Sequence, residues 1–123
     1  MKIILMRHGE TDWNSLGRFQ GREDIPLNKT GADQVQKATN YFKKYKWDEI
    51  ISSPLSRAKM SAEIIAKEIG LHKIHEEADF VERDYGKLSG MTKEEAGIEL
   101  PGGDFEGMEP LDLLQERMFN ALL

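Results

Sequence analysis

Ile3-Ile4-Leu5-Met6 is an unbroken apolar run with charge on either side, and that length and flanking suit a short strand buried on both faces inside a parallel sheet. A parallel strand needs a crossover before the next one, and the following segment supplies it. From Thr30 to about Tyr45 the apolar residues Ala32, Val35, Ala38, Phe42 and Tyr45 fall on one helical stripe, with Thr30 and Asp33 in the positions of a capping box. Asp48 to Ser52, centred on Ile50-Ile51, reads as a second short buried strand. Ser53-Pro54 then reads as a helix cap and first helical residue, with Ala58, Ala62, Ile65, Ala66 and Ile69 as the stripe and Gly70 as the stop. Strand, helix, strand, helix is the pattern of an α/β fold.

The rest of the chain is less regular. A third strand is expected over His72 to Glu76, polar enough for a sheet edge. An irregular stretch follows from Asp79 to Gly90, then a short helix at Met91 to Gly97 and a loop at Pro101-Gly102-Gly103-Asp104. From about Pro110, Leu111, Leu114, Met118, Ala121 and Leu122 share a helical face. That helix runs to Leu123 without a glycine, a basic last turn or a polar tail, so the chain reads as cut there. At 123 residues it has room for a single domain.

Composition removes several functional classes. The chain has no cysteine, which excludes disulfides, thiolate metal sites and thiol nucleophiles. With 22 acidic against 17 basic residues and a net charge of −5, no nucleic-acid partner is expected. The apolar run near the amino terminus is too short for a signal peptide or a membrane span, so no membrane partner is expected and the cytoplasm is the default location. The glycine-rich nucleotide motifs are absent. His72 and His75 stand three apart on the expected third strand and so point to opposite faces, and no metal site is expected.

Ligands of an open α/β sheet bind beyond the carboxyl ends of its strands. The first strand delivers Arg7, His8 and Glu10 there, and the second delivers Ser53 and, in the next helical turn, Arg57. Two guanidinium groups and an imidazole on one rim suit a phosphate dianion, because the arginine fork stays charged and matches two oxygens at once. The helix amino terminus at the same rim adds backbone donors.

Arg7-His8-Gly9-Glu10-Thr11 with Asn14 resembles the signature of the histidine phosphatase superfamily, in its phosphoglycerate mutase-like branch. The likeness continues through Gly21-Arg22-Glu23-Asp24-Ile25-Pro26-Leu27-Asn28 with Thr30-Gly31, then Ser52-Ser53-Pro54-Leu55-Ser56-Arg57-Ala58, then Glu82-Arg83-Asp84-Tyr85-Gly86. The resemblance implies a three-layer α/β/α sheet. It implies that His8 accepts the phosphoryl group, that Arg7 and Arg57 bind that group, and that Glu82 is the general acid. Asn14, Gln20, Gly21 and Arg22 are expected to contact substrate, and Arg22 and Lys87 suit an anionic one.

The resemblance stops short of a second histidine, which the family carries at the tip of a later strand ending in His-Gly; the histidines here are His8, His72 and His75. In the family that strand lies between the strands matching Ile3–Met6 and Asp48–Ser52, so the sheet is expected to be truncated before a central strand. Three readings are open: an amino-terminal part of a longer product, a gap filled by a second copy through strand exchange in a homodimer, or direct pairing of the first two strands around a shrunken pocket. The short stretch between Glu82 and Pro101 favours hydrolysis of small phosphomonoesters without a cofactor. The alternatives are a mutase reaction, with 2,3-bisphosphoglycerate as primer, and a phosphate-binding fragment that turns nothing over.

Overall fold

Asn28 starts the first long helix of the computed structural model, which describes residues 2–97 and 107–122. Its side-chain oxygen accepts from the Gly31 amide at 2.7 Å, satisfying one of the unpaired donors at the helix start. Helix α2 (Lys29–Phe42) thus begins before Thr30, which is itself helical; a short helix, α1 (Asp12–Ser15), precedes it. The reciprocal capping box expected at Thr30 is found instead at α1, where Thr11 and Asn14 exchange bonds. Val35 and Thr39 are the buried stripe of α2, and Phe42 and Trp47 stack edge to face where the helix ends.

Strand β1 (Ile50–Ser52) follows, then α3 (Ser56–Ile69) and strand β2 (Ile74–Glu76). The two strands pair in parallel, Ile50 with Ile74 and Ser52 with Glu76, so the expected β–α–β unit and its polar third strand are both present. Gly70 closes α3 in the left-handed conformation at φ 77°, which a residue lacking a Cβ adopts without strain. The start of α3 differs from the sequence reading: Ser53 and Pro54 lie ahead of the helix and Leu55 is its cap residue. Leu55 has no capping oxygen. Asp24, from a distant loop, takes that role by accepting from the Ser56 amide at 2.6 Å and from its hydroxyl at 3.0 Å.

The largest departure is at Ile3–Met6, which forms no strand; Ile3 is 61% and Leu5 79% exposed. A strand exists only if neighbours take up its backbone donors and acceptors, and the sheet among the described residues consists of β1 and β2. The run lies across a cleft of about 460 Å³ from β1, so the two apolar runs do not pair directly. Ile51, expected to be buried, is 48% exposed on the same side.

Beyond β2 the chain makes 3-10 turns at Ala78–Phe80 and Gly86–Leu88, and then helix α4 (Leu111–Leu122) packs near the first of them. Residues 91–97, expected as a helix, form turns after an isolated bridge of Thr92 to Arg18. Glycines at 90 and 97 with φ of 83° and 64° break the helical path at both ends of that segment. The Pro101–Asp104 loop lies outside the described residues. No helix among the described residues is long and apolar enough to cross a membrane.

Candidate active site

Segment 7–11 has no sheet to hold it, and glycines hold it instead. Gly9 is pressed against the Gly31 backbone in the first turn of α2, and a Cβ at either glycine would collide with main-chain atoms of the other segment. The Gly9 amide donates to the Ser61 hydroxyl at 3.1 Å, and that hydroxyl donates to the Arg57 carbonyl at 2.7 Å. Ser61 is buried on α3 and ties the segment to the helix that carries Arg57. The sequence reading missed Ser61: a lone serine on an alanine-rich stripe gives no signal of its own.

Gly9 also orients His8. The ring Nδ1 lies 2.6 Å from the Gly9 carbonyl oxygen, which can only accept, so Nδ1 carries the hydrogen. In the neutral ring Nε2 then keeps its lone pair. Burial holds the His8 pKa below its ordinary value; the Gly9 carbonyl pulls the other way, the charges of Arg57 and Arg7 lower it further, and Glu82 raises it slightly. The result is a neutral imidazole near pH 7 with one defined tautomer.

His8, Arg7, Arg57 and Glu82, expected as the reacting group of residues, line the same cleft. Arg57 is 2% exposed; it donates through Nη1 to the Glu23 carbonyl and through Nη2 to the Gly21 carbonyl, both at 2.6 Å. Each terminal nitrogen keeps a second N–H. Arg57 therefore also fixes the 21–24 loop, while Asp24 of that loop caps α3 one residue before it. Gly21 sits against the Arg83 backbone, where a Cβ would come within 2.9 Å of the Arg83 carbonyl, and its φ of 53° is in the region that favours glycine. The Glu82 side chain is exposed and accepts from the Arg83 amide at 2.7 Å.

The four residues expected to contact substrate are engaged with the protein. Asn14 closes the α1 capping box through its side-chain oxygen, and Gln20 is buried and accepts from the Thr11 hydroxyl. The Gly21 carbonyl holds Arg57, and exposed Arg22 stands 3.5 Å from the Glu109 carboxylate. Much of the remaining lining is apolar, with Ile4, Leu5, Ile50, Ile65, Phe80 and Met118 contributing beside the polar Glu49, Ser52 and Ser53.

A family model described as the histidine phosphatase superfamily (branch 1) matches residues 3–104. The chain is 46% identical over 120 residues to an uncharacterized phosphatase, PhoE, of Bacillus subtilis, covering 98% of this chain and 62% of that protein. It is 35% identical to a metal-independent phosphoserine phosphatase of Arabidopsis thaliana, covering 98% of this chain and 56% of the relative. The chain thus spans about three fifths of the length of these relatives. Among solved structures, a mycobacterial glucosyl-3-phosphoglycerate phosphatase complexed with VO3 superposes with a TM-score of 0.85 at 26% identity, covering 94% of this chain and 62% of that one. A phosphoglycerate mutase from Thermus thermophilus superposes with a TM-score of 0.76 at 31% identity, covering 94% and 67%. These neighbours give the chain the α/β, phosphoglycerate mutase-like fold that its motifs imply.

Proposed function

The chain belongs to the histidine phosphatase superfamily, branch 1, and on that premise we propose that it serves the hydrolysis of small, anionic phosphomonoesters through a phosphohistidine at His8. The observation that carries this reading is the bond from His8 Nδ1 to the Gly9 carbonyl, which leaves the Nε2 lone pair for attack beside Arg7, Arg57 and Glu82. Nε2 attacks phosphorus as the bond from phosphorus to the ester oxygen breaks, and protonated Glu82 passes its proton to that oxygen. Water then attacks the phosphohistidine; Glu82 takes the water proton, the P–N bond breaks, and its electron pair returns to Nε2. Arg7 and Arg57 offset the phosphoryl charge throughout. No cofactor enters this cycle. Relatives named as phosphatases support hydrolysis, and the mutase neighbour keeps phosphoryl return, with a bisphosphorylated primer, as an alternative.

A 32P-labelled phosphomonoester should leave acid-labile, alkali-stable label on the protein, and His8→Ala should abolish it. Label retained on His8→Ala overturns the assignment. A second reading, phosphate binding without turnover, is supported by the cleft lining, to which His8 contributes an imidazole and His72 and His75 do not. Vanadate binding with no release of nitrophenol from 4-nitrophenyl phosphate would favour it.

A further inference from the structure

Arg117 lies on α4, far in sequence from the motifs that carry the chemistry, yet its guanidinium is spent on the segment that bears Glu82. Nη1 donates to the carbonyls of Asp79 at 2.6 Å and Val81 at 2.7 Å, and Nη2 donates to the Glu82 carbonyl at 3.1 Å. The remaining donors grip Glu109 as a fork, Nε to Oε2 at 2.7 Å and Nη2 to Oε1 at 2.8 Å. The side chain is mostly buried, and all five N–H groups have acceptors. Glu109 continues the clamp: its carbonyl accepts from Arg83 Nε at 2.8 Å and its amide donates to the Asp84 carbonyl at 2.7 Å. Residues on both sides of Glu82 are thereby bound to one hub.

An exposed carboxylate on an irregular segment has no strand or helix to aim it. Three parallel carbonyl contacts to one rigid, planar group supply that constraint. We propose that Arg117 is the positioning residue for Glu82, holding the 79–82 backbone so that its carboxylate faces His8 across the cleft. This deepens the phosphatase reading and rests on it for the role of Glu82. Only a guanidinium fits the task, because a lysine ammonium cannot reach three carbonyls and both carboxylate oxygens together.

Imidazole NMR titration of the 123-residue chain tests this without requiring turnover. The groups facing His8 are the Gly9 carbonyl, Arg7, Arg57 from α3, and Glu82. Glu82→Gln removes a negative charge and lowers the His8 midpoint. Arg117→Gln should lower it in the same direction, and should do nothing further in a Glu82→Gln background. Simple loss of the Arg117 charge would act oppositely and raise it. Arg117→Lys, a milder change to the fold, should behave as Arg117→Gln does. The result that overturns the proposal is a lowered midpoint with Glu82→Gln but none with either Arg117 variant, or a shift of His72 and His75 as large as that of His8. No shift with Glu82→Gln overturns the placement of Glu82 itself, whereas loss of its role as an acid would show separately, as equal kcat loss for alkyl and aryl esters.

Discussion

Gly9 and Gly31 meet backbone to backbone, and neither position has room for a Cβ. The contact seats the His8 segment on the first turn of α2, so the glycine that follows His8 is required by a glycine 22 residues further along the chain. In an open helix, exchange of glycine for alanine stabilises by about 1 kcal/mol. At Gly31 the added methyl must instead displace the Glu10 backbone, and overpacking of this kind costs about 1–3 kcal/mol. Gly31→Ala should therefore lower the urea midpoint; a raised midpoint would show that the two segments do not touch.

Ser61→Ala removes the acceptor of the buried Gly9 amide. An unsatisfied buried donor costs about 1–3 kcal/mol. Amide exchange at Gly9 should accelerate in step with the loss of stability, and unchanged protection would show that the amide has another partner.

The β–α–β unit was readable because the apolar run at Ile50-Ile51 gives way to a helical stripe from Ala58 to Ile69, and Gly70 ends that stripe ahead of a short polar strand. The motifs single out Arg7, His8, Arg57 and Glu82 from three separate stretches of chain, and the structure places all four on the lining of one cleft. The sequence misled at Ile3–Met6, because an apolar run states only that a segment can be buried, whereas a strand requires neighbours that periodicity does not describe. The caps failed as well. Thr30 and Ser53 are good cap residues, but Asn28 caps α2 locally two residues earlier, while Asp24 reaches α3 from another loop, so tertiary contact decided the second start. Ser61 and Arg117 were invisible because the contacts that tie them to the site, the Gly9 amide and the 79–82 carbonyls, are 52 and 35–38 residues away.

Asp24 caps α3 from outside the helix, and its two oxygens are both used. Asp24→Ala should cost about 1–2 kcal/mol, the upper half of the range for a lost cap, since the amide and hydroxyl of Ser56 both lose their acceptor. Asp24→Asn, which keeps one acceptor oxygen, should cost less. Because Arg57 follows Ser56 and grips the same loop, Asp24→Ala should also weaken vanadate binding, read by isothermal titration. Equal stability of the two variants would show that charge, rather than the bidentate cap, is what Asp24 contributes.

His8 should titrate below 6.5, its ordinary value, because burial and the charges of Arg57 and Arg7 outweigh the Gly9 carbonyl and Glu82. Arg7 is exposed, so Arg7→Gln should raise the midpoint without unfolding the chain. The sign for stability follows from proton counting. Between the folded and unfolded midpoints the unfolded chain holds more protons on this residue, so stability must fall as pH drops through that window and level off below the folded midpoint. In His8→Gln that component is absent, and the difference in unfolding free energy between the two proteins, followed by urea titration, should narrow or widen only inside the window. A difference that stays flat from neutral pH to below the measured midpoint would mean that the imidazole has the same proton affinity folded and unfolded, and that burial does not keep it neutral.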